Sequence, residues 1–125
     1  MKRNNAIWLL LFITGFLFCM SGCEYHTIPP KPIEVPDTVS FALDIIPIFN
    51  SNCNSAGCHG VGATTPDLSP EKAFTSLTFF GYLDLDSAEL SPLYTKITTG
   101  SMKDEASEED RQIILRWIQQ GALDN

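Results

Sequence analysis

The sequence predicts an all-α fold: one small domain of about four short helices joined by long loops. Three observations predict it. Helix-start signals recur along the chain, at Ser69-Pro70, at Ser91-Pro92 and at Ser107-Glu108-Glu109-Asp110. The last of these opens onto an apolar stripe at helical spacing, formed by Ile113, Ile114, Trp117 and Ile118. Alternating apolar and polar runs, the mark of half-buried strands, are scarce.

Taken in order, Asp44 is expected to cap the first helix, with Pro47 in its first turn, where a missing N–H costs little. That helix, through Ile45, Ile46, Ile48 and Phe49, delivers the chain into Cys53. Residues 60–66 are a loop rich in Gly and Thr. Ser69 is expected to cap the second helix with Pro70 at its first position, and Ala73, Phe74 and Leu77 give it an apolar face. Phe79, Phe80, Tyr82 and Leu83 form an aromatic patch before an acidic loop. Ser91-Pro92 repeats the cap-plus-proline signal and opens a short third helix through Leu93, Tyr94 and Ile97. Residues 98–106 are loop. Ser107 caps the last helix, its three acids sit at the positive end of the helix dipole, and Gly121 stops it.

Between the first two helices lies Cys53-Asn54-Ser55-Ala56-Gly57-Cys58-His59. It reads C-x4-C-H, the c-type haem attachment pattern with a longer spacer. Two thiols can add to the two vinyl groups of a haem, and the histidine directly after the second can reach the iron. The enlarged spacer must bulge, and Asn54 and Gly57 are the residues suited to positive φ. Two other readings compete: a local disulfide and the start of a zinc site. Zinc needs further ligands, and the only other histidine, His26, lies in a proline-rich stretch.

The N-terminus bears on the choice. Lys2 and Arg3 precede an apolar run from Ala6 to Met20, shorter than the roughly 20 residues a membrane-spanning helix needs. The run ends in Ser21-Gly22-Cys23, which resembles the lipobox of bacterial lipoproteins, with Cys23 lipidated and first in the mature chain. An uncleaved membrane anchor is the competing reading, and either way the domain lies outside the cytoplasm, tethered to a membrane of the cell envelope. Residues 1–22 are then the signal peptide. Residues 23–38, with Pro29, Pro30, Pro32 and Pro36, form a stiff linker, and residues 39–125 form the domain. Cys19 leaves with the signal and Cys23 takes lipid, so Cys53 and Cys58 alone remain in the mature chain. Haem c is also attached beyond the membrane, so the two signals support each other.

Removing residues 1–22 takes away two cations and no acids, moving the formal charge from −7 to −9. An acidic chain lacks the basic patch that nucleic acid requires. Of three methionines, Met1 and Met20 lie in the signal, which leaves Met102, in the polar segment Gly100-Ser101-Met102-Lys103. A thioether is a suitable soft ligand for haem iron opposite histidine, so Met102 is the expected sixth ligand. His26 and Lys103 are the alternatives.

The order of these parts resembles the class I type monohaem cytochromes c, in particular the cytochrome c domains of bacterial lipoproteins. The resemblance spans nearly all of residues 41–125. It rests on Ile46-Pro47-Ile48 before the cysteines, C-x4-C-H-G, Pro66-Asp67-Leu68, a loop methionine, and Trp117-Ile118 followed by Gly121-Ala122. It implies a small cytochrome c fold wrapped around one covalent haem c. Cys53 and Cys58 would carry the thioethers and His59 would be the proximal ligand. The Pro66 carbonyl would accept from the second imidazole nitrogen, and Leu68 and Trp117 would pack against the porphyrin. The implied function is electron transfer with redox partner proteins of a respiratory or periplasmic chain, without catalysis. The competing function is a haem enzyme or sensor with a labile sixth site, peroxidase-like or gas-binding. A structural lipoprotein with a Cys53–Cys58 disulfide is the third.

Overall fold

The computed structural model describes residues 31–125. The expected signal peptide, Cys23, His26, Pro29 and Pro30 lie outside the described residues. Among those described there is no β-strand, and four α-helices carry the fold. They are α1 (Ile46–Asn52), α2 (Ala73–Phe79), α3 (Pro92–Thr98) and α4 (Glu108–Gln119). A π-helical turn, Phe41–Ile45, leads into α1, and a 3-10 turn, Ala88–Leu90, precedes α3. No described helix is long and apolar enough to cross a membrane.

The first helical segment starts earlier than the sequence suggested. Ser40, not Asp44, is the cap: its hydroxyl accepts from the Leu43 amide at 3.3 Å. The Asp44 carboxylate reaches back to accept from the Ser40 amide at 2.7 Å. The pair forms a reciprocal cap with one residue more than the usual spacing, because the first turn is wound as a π-turn. Pro47 sits in the first turn of α1, as its missing N–H favours.

Ser69 and Ser91 open their helices through the backbone while their side chains serve elsewhere. The Ser69 carbonyl accepts from the Lys72 and Ala73 amides, but its hydroxyl donates to Asp67 Oδ1 at 2.6 Å. The Ser91 side chain is fully buried. Its hydroxyl accepts from the Asp84 amide at 2.8 Å and donates to the Asp84 carbonyl at 3.2 Å. Ser107 behaves as the sequence indicates. Its hydroxyl accepts from the Asp110 amide at 3.1 Å, and Asp110 accepts from the Ser107 amide at 3.0 Å.

The core lies where α1 and its π-turn meet α4. Phe41 is the hub, with its ring centroid 5.1 Å from Trp117, 5.4 Å from Phe74 and 6.5 Å from Phe49. Ile45, Leu77, Ile114 and Ile118 are fully enclosed around it. Each such side chain contributes roughly 1.5–3 kcal/mol by leaving water. The chain also closes on itself. The Phe41 amide donates to Asn125 Oδ1 at 2.9 Å and the Ala42 amide to the Asn125 carbonyl at 2.9 Å. The compact unit runs from Pro32 to Asn125, longer at its start than the expected 39–125. Part of the expected spacer is captured by α4, where Arg116 Nη2 and Gln120 Nε2 donate to the Asp37 carbonyl at 3.3 Å and 2.5 Å. Of the expected aromatic patch, Phe79 and Phe80 are exposed, while Tyr82 and Leu83 pack against the core.

Candidate functional site

The motif occupies the loop between α1 and α2, and backbone bonds fold that loop into a compact knot. The Cys53 and Asn54 amides both donate to the Phe49 carbonyl at 2.9 Å, which ends α1. The His59 amide donates to the Cys53 carbonyl at 3.0 Å, which closes the spacer into a ring between His59 and Cys53. The Thr64 amide donates to the Cys58 carbonyl at 2.9 Å, and the Leu68 amide to the His59 carbonyl at 2.7 Å. Gly57 takes φ +87° inside the bulge, as expected. Asn54 does not: it keeps negative φ, and its side-chain amide instead donates to Asn50 Oδ1 at 2.7 Å and to the Leu68 carbonyl at 3.3 Å. An asparagine amide can bond to backbone on both sides of a turn, and here that use displaces its left-handed tendency.

Gly60 lets the loop close. A Cβ there would lie 2.8 Å from the carbonyl oxygen of Asn54, a backbone atom that no rotamer change can move away. The far side is pinned by α2, where buried Ser76 accepts from the Asp67 amide at 3.0 Å. Asp67 in turn accepts from the Ser69 amide at 3.0 Å. These bonds from Ser69 hold the Asp67 carboxyl below its ordinary range.

The decisive geometry is at the imidazole. His59 Nδ1 lies 3.0 Å from the Pro66 carbonyl oxygen and 3.2 Å from that of Thr64. A carbonyl oxygen only accepts, so Nδ1 must carry the proton. In the neutral ring the lone pair then lies on Nε2, the form a metal ion takes. Cys53 is half-buried, Cys58 is exposed, and both thiols are free, so no disulfide joins them. Burial first, then the carboxylates of Asp110 and Glu105 and the neighbouring Cys58, push the Cys53 thiol up to about 11. A thiol held neutral exchanges slowly with disulfides. Among the described residues, no group of three His, Cys, Asp or Glu side chains gathers to hold a metal ion. The donors that the loop carries are one imidazole, from His59, and two thiols not joined as a disulfide, from Cys53 and Cys58.

Cys53, Cys58, His59, Pro66 and Leu68 are therefore gathered in one loop. Leu68 roots that loop in the core and is buried. Trp117 stands apart. It is fully enclosed, its ring packs on Phe41, and its indole N–H donates to the Leu123 carbonyl at 2.9 Å. Met102 comes from the α3–α4 segment, and the helix that follows it meets the end of α1 just before the motif. Asn52 Nδ2 donates to Asp110 Oδ2 at 3.2 Å, and Glu105 is close enough to act on Cys53. Met102 is half-buried and packs against the core, although its sequence neighbours are polar. A shallow cavity of about 280 Å³ between Val35–Asp37 and α4 contains none of these residues.

Sequence reasoning named Asn54 only for the bulge and Gly60 only as part of the motif, and it missed Ser76. The glycine directly after C-x4-C-H was the available signal for a close approach. The partners of Asn54 and Ser76 lie 14 and 9 residues away, beyond any local pattern. No family model, curated protein or solved structure matches the chain.

Proposed function

We propose that this chain is a membrane-tethered electron carrier holding one haem c, attached through Cys53 and Cys58 and ligated by His59 and Met102. The observation that carries the reading is the hydrogen bond from His59 Nδ1 to the Pro66 carbonyl, within a C-x4-C-H loop whose two thiols are free. Bound at this loop, a haem supplies a one-electron Fe(III)/Fe(II) couple. The chain's own residues do the rest. Each thiol adds its sulfur to one vinyl carbon and its hydrogen to the other, so no oxidant is needed. The Pro66 carbonyl fixes the imidazole in one tautomer and orientation and raises the basicity of Nε2. The Asn54 and Ser76 bonds hold that carbonyl where the imidazole needs it. Met102 supplies a soft thioether, which favours the reduced state.

In this reading Cys23 carries the lipid that tethers the domain to the cell envelope. Electrons pass to and from redox proteins, and the acidic chain suits a partner with a basic face. The half-burial of Met102 favours a second reading, in which the methionine stays in the core and the sixth position takes an added ligand such as peroxide or a gas.

The test is expression with a competent haem-attachment pathway, followed by denaturation and extraction with acidic organic solvent. Haem that stays with the protein, lost in Cys53→Ser with Cys58→Ser, supports the proposal. Colour that leaves wholly with the solvent, or no colour, overturns it.

A further inference from the structure

Met102 is gripped on both sides by neighbouring helices. Before it, Gly100 passes so close to the end of α3 that a Cβ there would lie 2.8 Å from the Lys96 Cα and 3.0 Å from the Lys96 carbonyl oxygen. The Met102 amide donates to that same carbonyl at 3.1 Å. After it, the Lys103 carbonyl accepts from Arg111 Nη2 on α4. The guanidinium is itself held in place. Nη1 donates to Glu108 Oε2 at 3.3 Å, and Gln112 Nε2 braces Glu108 Oε1 at 2.9 Å.

Arg111 buries most of its side chain to make this contact, with 21% exposed, and its Nε is buried without a partner among the described residues. An unpaired buried donor lowers stability. The arrangement is therefore poor value as a stability device alone. What it achieves is a charge-assisted bond, stronger than a neutral one, to the backbone carbonyl directly after Met102.

We propose that Arg111 is a positioning residue for Met102. The guanidinium locks the loop from the α4 side while the Lys96 carbonyl locks it from the α3 side. The thioether is then presented in one orientation. This inference rests on Met102 being the sixth ligand, and its test separates the two ideas.

The full chain, carrying haem, is compared with Arg111→Gln, Arg111→Lys, Glu108→Gln and Met102→Ala. Amide exchange over residues 101–105 reports the clamp without reference to the iron. Arg111→Gln should speed it about tenfold or more, the loss of one charge-assisted hydrogen bond. The same variant should weaken the far-red ferric band and lower the midpoint potential towards that of Met102→Ala. Arg111→Lys, which keeps a cation for the Lys103 carbonyl, should recover part of both. Glu108→Gln acts at a more exposed position, moves the readings the same way by less, and carries the test if Arg111→Gln does not fold. Unchanged exchange in Arg111→Gln means the clamp is absent. Faster exchange with band and potential at wild-type values reduces Arg111 to a structural residue. A wild-type spectrum that Met102→Ala does not alter refutes the ligation itself, and with it the positioning role.

Discussion

Gly60→Ala is the most direct probe of the loop that presents His59. The new methyl carbon would sit 2.8 Å from the Asn54 carbonyl oxygen, well inside contact distance, and its neighbour is backbone. Relief requires the loop to move as a whole. Overpacking of this kind costs about 1–3 kcal/mol. For a domain of this size that corresponds to a fall in Tm of roughly 4–24 °C, at about 4–8 °C per kcal/mol. Gly57→Ala is the control. Gly57 has φ +87° and open space around it, so an added methyl pays only for the left-handed backbone, about 1–2 kcal/mol. The two variants should lose similar stability but differ at the imidazole. Gly60→Ala moves the backbone between Asn54 and His59 and should stretch the bond from Nδ1 to the Pro66 carbonyl. Gly57→Ala should leave it intact. Urea unfolding gives the stabilities, and the His59 ring N–H resonance, whose nitrogen lies 3.0 Å from the Pro66 carbonyl oxygen in the parent, gives the geometry. A Gly60→Ala chain within about 0.5 kcal/mol of the parent, with its ring proton unchanged, would refute the close approach.

Met102→Ala should abolish the far-red ferric band, admit cyanide or carbon monoxide to the iron and lower the potential, read by visible spectroscopy and redox titration. Trp117→Ala should cost about 3–5 kcal/mol in urea unfolding, because the ring is fully enclosed; a much smaller loss would mean it is not a core anchor. Asp67 gives a pH signature. Its folded carboxyl titrates below its ordinary value, so its stabilisation is complete above about pH 4 and fades as pH falls through the lowered folded value. Asp67→Asn should flatten the acid limb of a stability–pH curve. Cys23→Ser should release the protein from the membrane fraction without changing its visible spectrum, and intact mass of the mature chain checks the lipid directly.

The helices were legible where their signals are local. Ser107 and Asp110 are three residues apart, and both halves of their capping box are visible in sequence. Ser40 and Asp44 are four apart, and only the π-turn makes that spacing a cap. Ser69 and Ser91 carry the same cap-plus-proline signal, yet tertiary demand took their hydroxyls, one for Asp67 and one for the Asp84 backbone. At the site, the cysteines and His59 announce themselves by order, and Pro66 by resemblance. The Asn54 amide, Ser76 and Arg111 do not, because each finds its partner through folding. Met102 shows the limit of composition. Polar neighbours suggested a solvated loop, but the close approach of Gly100 to α3 carries the methionine against the core.

The Asn125 bonds to Phe41 and Ala42 have a topological consequence. Val39 also donates to Gln120 Oε1 at 2.9 Å, so the first described turn and residues 120–125 are stitched side by side. Within the described residues, a short peptide could join Asn125 to Val39, and a new opening at exposed Phe80-Gly81 would leave the Cys53–Leu68 knot and the Met102 segment uncut. The order of synthesis could thus be inverted, with Met102 made before Cys53 and Cys58, while every contact that positions them is kept.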